Sequence, residues 1–352
     1  MYVYIYIYIY IYIDIWSQVD EWVKSWQRHN PTFEYWFWTD SGARETLRRR
    51  YPPWMGALYD AYPHAINRAD VRKYLILYLH GGIVADLDTE CLRPLDALVG
   101  GGVSAVENGP RYSCIVGEEP ELHRVFLYGR PMTLSKGAAS STSAAAAATA
   151  AADADSPPST FYVTSSFIAC RRRHPFLEFV LRRLPTYAGN AKRLGWNENV
   201  LNSTGPTFLT ESVDAYRRLR LDRVEDGSVD ADVFVAPADW FVPTFDPINV
   251  NAFRLGCKVM AAAAGGGRKS SVSAPAAVSG FPGTEEVRPS VCDRLLSPTR
   301  GSGGGAVDHG GGDEATPDAF TTHHWLHSWA VDFIPRGWTR VEDLVNVTRL
   351  VL

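Results

Sequence analysis

Two aspartates, Asp86 and Asp88, stand at the end of the short apolar run Ile83 to Leu87. In an extended segment residues i and i+2 point the same way, so the two carboxylates converge at the strand end. Like charges so placed require a cation. Carboxylate oxygens suit hard divalent ions such as Mg²⁺ or Mn²⁺, which keep open positions for substrate phosphates. A D-x-D alone is common on surface turns. This one gains weight from its setting, because ligands of open α/β sheets bind outside the carboxyl ends of the strands.

Other side chains could serve the same centre. His323, His324 and His327 are interleaved with Trp325 and Trp329 in the segment Thr321 to Trp329. Imidazole completes the coordination of a transition ion such as Mn²⁺, and an adjacent indole stacks on a sugar or base. Asp70 and Lys73 are spaced i, i+3 on a helix, away from its apolar stripe. They form either a plain surface ion pair or a pair facing the sugar and phosphate ends of a donor. The Arg48-Arg49-Arg50 cluster reads as a solvated helix end.

The elements that must position these groups are legible from periodicity. Val71, Tyr74, Leu75 and Tyr78 recur at i, i+3, i+4 and i+7 and mark a helix. Gly81-Gly82 ends it, and the strand Ile83 to Leu87 follows at once. Upstream, Val19, Trp22, Val23 and Trp26 mark a helix stopped by Asn30-Pro31, Phe33 to Trp38 reads as a strand, and Thr39 to Gly42 as a turn before a helix over Ala43 to Arg50. Downstream, Phe161 to Cys170 and Asp232 to Ala236 read as strands. His174-Pro175 and Thr204-Gly205-Pro206 each lead into a helix, the segment from Trp240 to Pro247 reads as a loop, and a last short helix lies near Val341 to Val345. Strands alternating with helices predict an α/β fold with a mostly parallel central sheet flanked by helices.

The 352 residues carry 35 basic and 39 acidic side chains, a net charge of −4, which argues against a nucleic-acid binder. Residues 137–160 and 261–318 are low-complexity stretches of Ala, Gly, Ser and Pro, expected to be disordered insertions in a single domain. The five cysteines show no C-x-x-C pair, and Asn202-Ser203-Thr204 and Asn346-Val347-Thr348 are glycan sequons if the chain enters a secretory lumen. Residues 1–13 alternate Tyr with Ile or Val, a strand period too short for a membrane span and without the marks of a signal peptide. Two readings stay open for them. One is a translated dinucleotide repeat, with the natural start and a membrane anchor missing from the chain. The other is that Ile9 to Trp16 forms the first strand.

At this point the segment Arg68 to Asp96, with Asp70, Gly82, Asp86 and Asp88 in place, resembles glycosyltransferase family 32, the sugar-binding region containing a DXD motif. That family includes inositol phosphorylceramide mannosyltransferases and initiating α-1,6-mannosyltransferases. Trp26, Asn30-Pro31, Trp38-Thr39-Asp40, His174-Pro175, Thr204-Gly205-Pro206, His323 and Ser328-Trp329 add to the likeness. The resemblance implies a GT-A fold, Mn²⁺ or Mg²⁺, a nucleotide-sugar donor such as GDP-mannose, a glycolipid or glycan acceptor, transfer with retention, and a Golgi or other secretory membrane setting.

By position it implies that Asp88 is the principal metal ligand and that Asp86 touches the ribose or donor sugar and helps hold the metal. His323, with His324 as the alternative, completes the metal site. Asp70, Arg72, Lys73, Trp16, Gly82, Gly205, Pro206, Ser328 and Trp329 line the substrate. Residues 14–136 form the nucleotide-sugar half, 161–260 the acceptor side of the same domain, and 319–352 the metal and diphosphate segment. Three positions depart from the family pattern: Lys73 replaces an arginine, Val84 an aromatic, and Asp14-Ile15-Trp16 only partly matches the first-strand motif. These departures keep a second class open, a catalytically inactive homologue that binds a sugar nucleotide or glycan.

Overall fold

The alternating amino terminus supplies a strand, and that strand stands inside the sheet rather than at its edge. In this computed structural model the described residues are 2–6, 13–99, 103–104, 111–123, 161–194, 200–221, 233–247, 249–265, 292, 295–296, 318–325 and 349–351. Their strands are β1 (Tyr2–Tyr6), β2 (Glu34–Trp38), β3 (Gly82–Asp86), β4 (Thr89–Cys91), β5 (Val103–Ser104), β6 (Arg111–Tyr112), β7 (Cys114–Glu118), β8 (Val163–Cys170), β9 (Val233–Ala236), β10 (Thr321–His323) and β11 (Arg349–Val351). Seven of them form one sheet in the order β11-β2-β1-β3-β8-β7-β9. Every neighbouring pair is parallel except the two made by β8. The expected α/β fold with a mostly parallel sheet is what the chain adopts.

The chain runs from β1 to β2 on one side and returns to β3 on the other. Where strand order reverses, the carboxyl ends of neighbouring strands open a crevice, the usual ligand position in such sheets. Tyr6 of β1 and Asp86 of β3 are partners in register at this reversal. The fold therefore puts the first aspartate of the D-x-D at the mouth of the crevice.

Four helices fill the crossovers: α1 (Ile13–His29), α2 (Asp40–Arg50), α3 (Pro53–Ala61) and α4 (Ala65–His80). Val84 of β3 packs into one core with Val71, Tyr74 and Leu77 of α4, while Ile83 and Ala85 face a second core with Val23 and Trp26 of α1. This is the period of two expected of a strand buried on both faces. Helix α4 is buried on nearly all sides, including Asn67, Asp70, Arg72 and Lys73. Its junction with β3 needs two glycines. Gly81 has φ +68 and Gly82 φ +111, and a Cβ on Gly81 would lie 2.4 Å from the Arg172 backbone nitrogen.

Several expectations shift. The strand is Tyr2–Tyr6, whereas Ile13 to Trp16 already belong to α1, so Ile9 to Trp16 is not the first strand; residues 7–12 lie outside the described residues. The partners β2 and β3 are five residues long, as β1 is, and Asp14 lies in the first turn of α1. Thr39 to Gly42 is a capped helix start instead of a free turn: Thr39 Oγ1 accepts the Gly42 amide at 3.0 Å and α2 begins at Asp40. A short helix, Ala238–Phe241, interrupts the expected loop from Trp240 to Pro247.

Residues 137–160, most of 261–318 and the expected helix near Val341 to Val345 lie outside the described residues. In the second stretch, the helix Val250–Gly265 runs past residue 261, Cys292 is disulfide-bonded to Cys257, and Leu295 packs with Val250 and Phe253. Cys114 and Cys170 form a second disulfide between β7 and β8, and Cys91 is the free cysteine among the described residues. No helix among them is long and apolar enough to cross a membrane.

Candidate active site

Helix α1 holds the turn that carries Asp88. The Trp26 indole donates to the Thr89 carbonyl at 2.7 Å, and Ser25 Oγ accepts the Cys91 amide at 2.8 Å. Strand β10 pairs antiparallel with β4, with His323 opposite Thr89, and the His324 amide donates to the Asp88 carbonyl at 2.7 Å. A segment from the far end of the chain is thus laid beside the D-x-D. One ligand atom each from Asp86, Asp88 and His323 lies within 4.8 Å of the other two. His323 Nε2 is 3.3 Å from Asp88 Oδ1.

Two carboxylates and one imidazole, converging and still partly open to solvent, are a donor set that fits a divalent ion such as Mn²⁺ or Mg²⁺. A cation taking His323 would displace the proton that its surroundings favour. Burial opposes charge on His323, but the charge and hydrogen bond of Asp88 outweigh it and raise the imidazole above its ordinary value. The group is positioned as a partner for negative charge. Its Nδ1 accepts the Trp325 amide at 3.2 Å and its Nε2 faces Asp88; coordination through Nε2 would move the ring proton to Nδ1 and displace that amide bond.

Beneath the trio lies a buried charge network. Lys73 Nζ is 2.7 Å from Asp86 Oδ1 and 3.5 Å from Asp70 Oδ1, and it donates to the Ser165 carbonyl at 3.1 Å. Asp70 Oδ2 accepts the Thr204 hydroxyl at 3.1 Å, and Thr204 is fixed in turn by Asn67 at 3.1 Å and by the Tyr74 hydroxyl on its carbonyl at 2.6 Å. Burial pushes the Asp70 carboxyl up to about 6, with Lys73 opposing and Asp86 adding to the rise. Lys73 is also buried, yet Asp86 and Asp70 more than offset that and hold its ammonium above the ordinary value. One ammonium faces Asp70 and Asp86 while Asp88 lies beyond it, so negative charge remains in excess at the mouth of the site.

The predicted residues divide accordingly. Asp70, Lys73, Asp86, Asp88 and His323 come together. His324 does not join them: its ring stacks on Trp22 at 3.9 Å and bonds Glu90 at 3.1 Å. Successive strand residues face opposite sides, which separates the two histidines. Arg72 is two residues from Asp70 on the helix, and its charge acts on Asp40 and Tyr59 instead. Gly82 opens β3 at the end remote from Asp86, about 13 Å away along the strand. Gly205 and Pro206 lie at the start of the helix Pro206–Leu221; the neighbour that reaches the site is Thr204, which residue types alone did not single out. Ser165 was missed as well, because its contribution is a backbone carbonyl. Trp16 lies on α1 instead of the first strand, and its side chain, with Ser328 and Trp329, is outside the described residues.

Comparison with known proteins is consistent with this geometry. Residues 17–103 match the family described as glycosyltransferase sugar-binding region containing DXD motif, so Asp86 and Asp88 fall inside the matched region and the resemblance read from the sequence holds there. Inositol phosphoceramide mannosyltransferase 3 of Schizosaccharomyces pombe is 31% identical over 203 residues, 57% of this chain and 42% of that protein. Initiation-specific alpha-1,6-mannosyltransferase of Candida albicans is 24% identical over 207 residues, 55% of this chain and 46% of that protein. The chain therefore spans less than half the length of these relatives. A solved structure titled PaToxG Glycosyltransferase aligns with 66% of this chain and 77% of its own at 13% identity and a TM-score of 0.34.

Proposed function

We propose that this chain, which carries the glycosyltransferase sugar-binding region with its D-x-D motif, is a metal-dependent, retaining glycosyltransferase of GT-A type. It transfers mannose from GDP-mannose to a glycolipid, inositol phosphorylceramide, or to a glycan. The observation that carries the reading is the convergence of Asp86, Asp88 and His323 at the reversal point of the sheet. The mannosyl donor and the acceptor classes are supported by the names of the relatives alone.

Asp86, Asp88 and His323 would hold a divalent cation, which when bound stabilises negative charge on a leaving phosphate oxygen as a Lewis acid. Lys73 holds Asp86 from behind and keeps the buried Asp70 partly compensated. Asp70 is buried, with Oδ2 accepting from Thr204 and Oδ1 facing Lys73, so contact with a donor sugar hydroxyl would require it to give up one of these partners. Retention then places the acceptor on the face from which the diphosphate departs.

A Golgi or other secretory setting is part of the proposal. It is supported by the Cys114–Cys170 and Cys257–Cys292 disulfides, which persist in oxidising compartments. The test is nucleotide release from GDP-mannose, UDP-galactose and UDP-glucose, with inositol phosphorylceramide in detergent micelles as acceptor. Fastest consumption of GDP-mannose with formation of mannosylated lipid is expected. No release from any donor, in a chain that still binds Mn²⁺, would leave the inactive, ligand-binding homologue.

A further inference from the structure

Behind His323 lies a layer of buried groups that the reading above does not use. Glu119 follows β7, its amide donating to the Tyr162 carbonyl at 2.7 Å, and His123 ends the next short helix, Glu121–His123. They are 2% and 0% exposed. His123 Nε2 accepts the Asp246 amide at 3.0 Å, so that nitrogen carries no proton. The ring proton is on Nδ1 and donates to Glu119 Oε2 at 3.1 Å. Both ends of the imidazole are therefore fixed.

Its ring meets Trp325 edge-on, with centroids 4.5 Å apart and planes at 69°. Trp325 meets His323 in the same manner, at 4.3 Å and 70°, and donates its amide to His323 Nδ1. The Trp325 backbone has φ +54, a conformation a bulky residue keeps only where its surroundings hold it. Thr244, two residues before Asp246, donates its hydroxyl to the His323 carbonyl at 3.1 Å. One loop thus anchors both histidines, and the indole is clamped between them.

We propose that Glu119 and His123 are a positioning pair for the cation site: they seat Trp325, and Trp325 fixes the ring of His323 with Nε2 turned toward Asp88. The inference rests on reading Asp86, Asp88 and His323 as that site. A buried carboxylate and imidazole cost more desolvation than an apolar pair filling the same space. What they supply in return is direction, since two hydrogen bonds set the plane of one ring and each edge contact passes that orientation to the next. Partners beyond the first ring of ligands commonly tune metal affinity in this way.

The probe is Mn²⁺ alone, titrated calorimetrically into the full chain, with a thermal melt beside each titration. Trp325→Ala, at a half-buried position, is expected to weaken Mn²⁺ binding about tenfold or more while the chain stays folded. His123→Leu is expected to do the same. Trp325→Phe, which keeps an edge against both imidazoles, is expected to restore most of the affinity. Wild-type binding with unchanged affinity in folded Trp325→Ala overturns the positioning role and leaves the cation site standing. A wild-type chain that binds no Mn²⁺ overturns the cation site, and the positioning pair with it.

Discussion

Lys73 lies closer to Asp86, at 2.7 Å, than to Asp70 on its own helix, at 3.5 Å. The ammonium thus ties α4 to the carboxyl end of β3, where an i, i+3 spacing alone points to a local pair on the helix surface. Its side chain is 2% exposed, and those of its carboxylate partners Asp70 and Asp86 are 3% and 26% exposed.

Removing that charge leaves two carboxylates uncompensated. Lys73→Met is expected to destabilise the fold by about 3 kcal/mol, the lower end for a broken buried pair because Asp86 is partly solvated. Lys73→Arg, which keeps the charge, is expected to cost less. Urea unfolding of both variants checks the order.

Asp70 gives the fold a pH dependence of defined sign. Its folded pKa is about 6 against an ordinary 3.8, so between those values the folded state binds more protons than the unfolded chain. Stability is therefore expected to fall as pH rises from about 4 to 6 on account of this group. In Asp70→Asn that contribution disappears. Thermal midpoints across this range in a chelating buffer, wild type against variant, test the slope; a difference independent of pH would contradict it.

The helix-to-strand junction tolerates no side chain. Gly81→Ala combines φ +68 with a Cβ 2.4 Å from the Arg172 backbone nitrogen. A loss of more than about 1 kcal/mol is expected, measured by chemical denaturation. Since β3 must shift to relieve the contact, Mn²⁺ affinity is expected to fall with it.

How far the sequence reveals this site depends on which signals are local. The helix, the Gly81-Gly82 stop, β3 and the D-x-D follow from periodicity and from glycine in positive-φ backbone within a single stretch of chain. The Tyr/Ile alternation has the strand period but carries no register, so nothing in it selects Tyr2–Tyr6 over its neighbours. Asp70 and Lys73 resemble a solvated face because their charge sits off the apolar stripe. Only the contacts with Ser165 of β8, Asp86 of β3 and Thr204 show that this face is interior as well. His323 reaches Asp88 through the pairing of β4 with β10, a contact between distant parts of the chain that no local pattern encodes. Family resemblance pointed to it, and strand alternation then separated His323 from His324.

The central claim is that Asp86, Asp88 and His323 form a cation-dependent donor site. Its most direct measurement is the release of GDP from GDP-mannose by the full chain with and without Mn²⁺, beside Asp88→Ala. The account predicts turnover that requires the ion and falls roughly 100-fold or more in the variant, the equivalent of a few kcal/mol of lost charge stabilisation. Turnover that ignores the ion, or survives undiminished in Asp88→Ala, would contradict it.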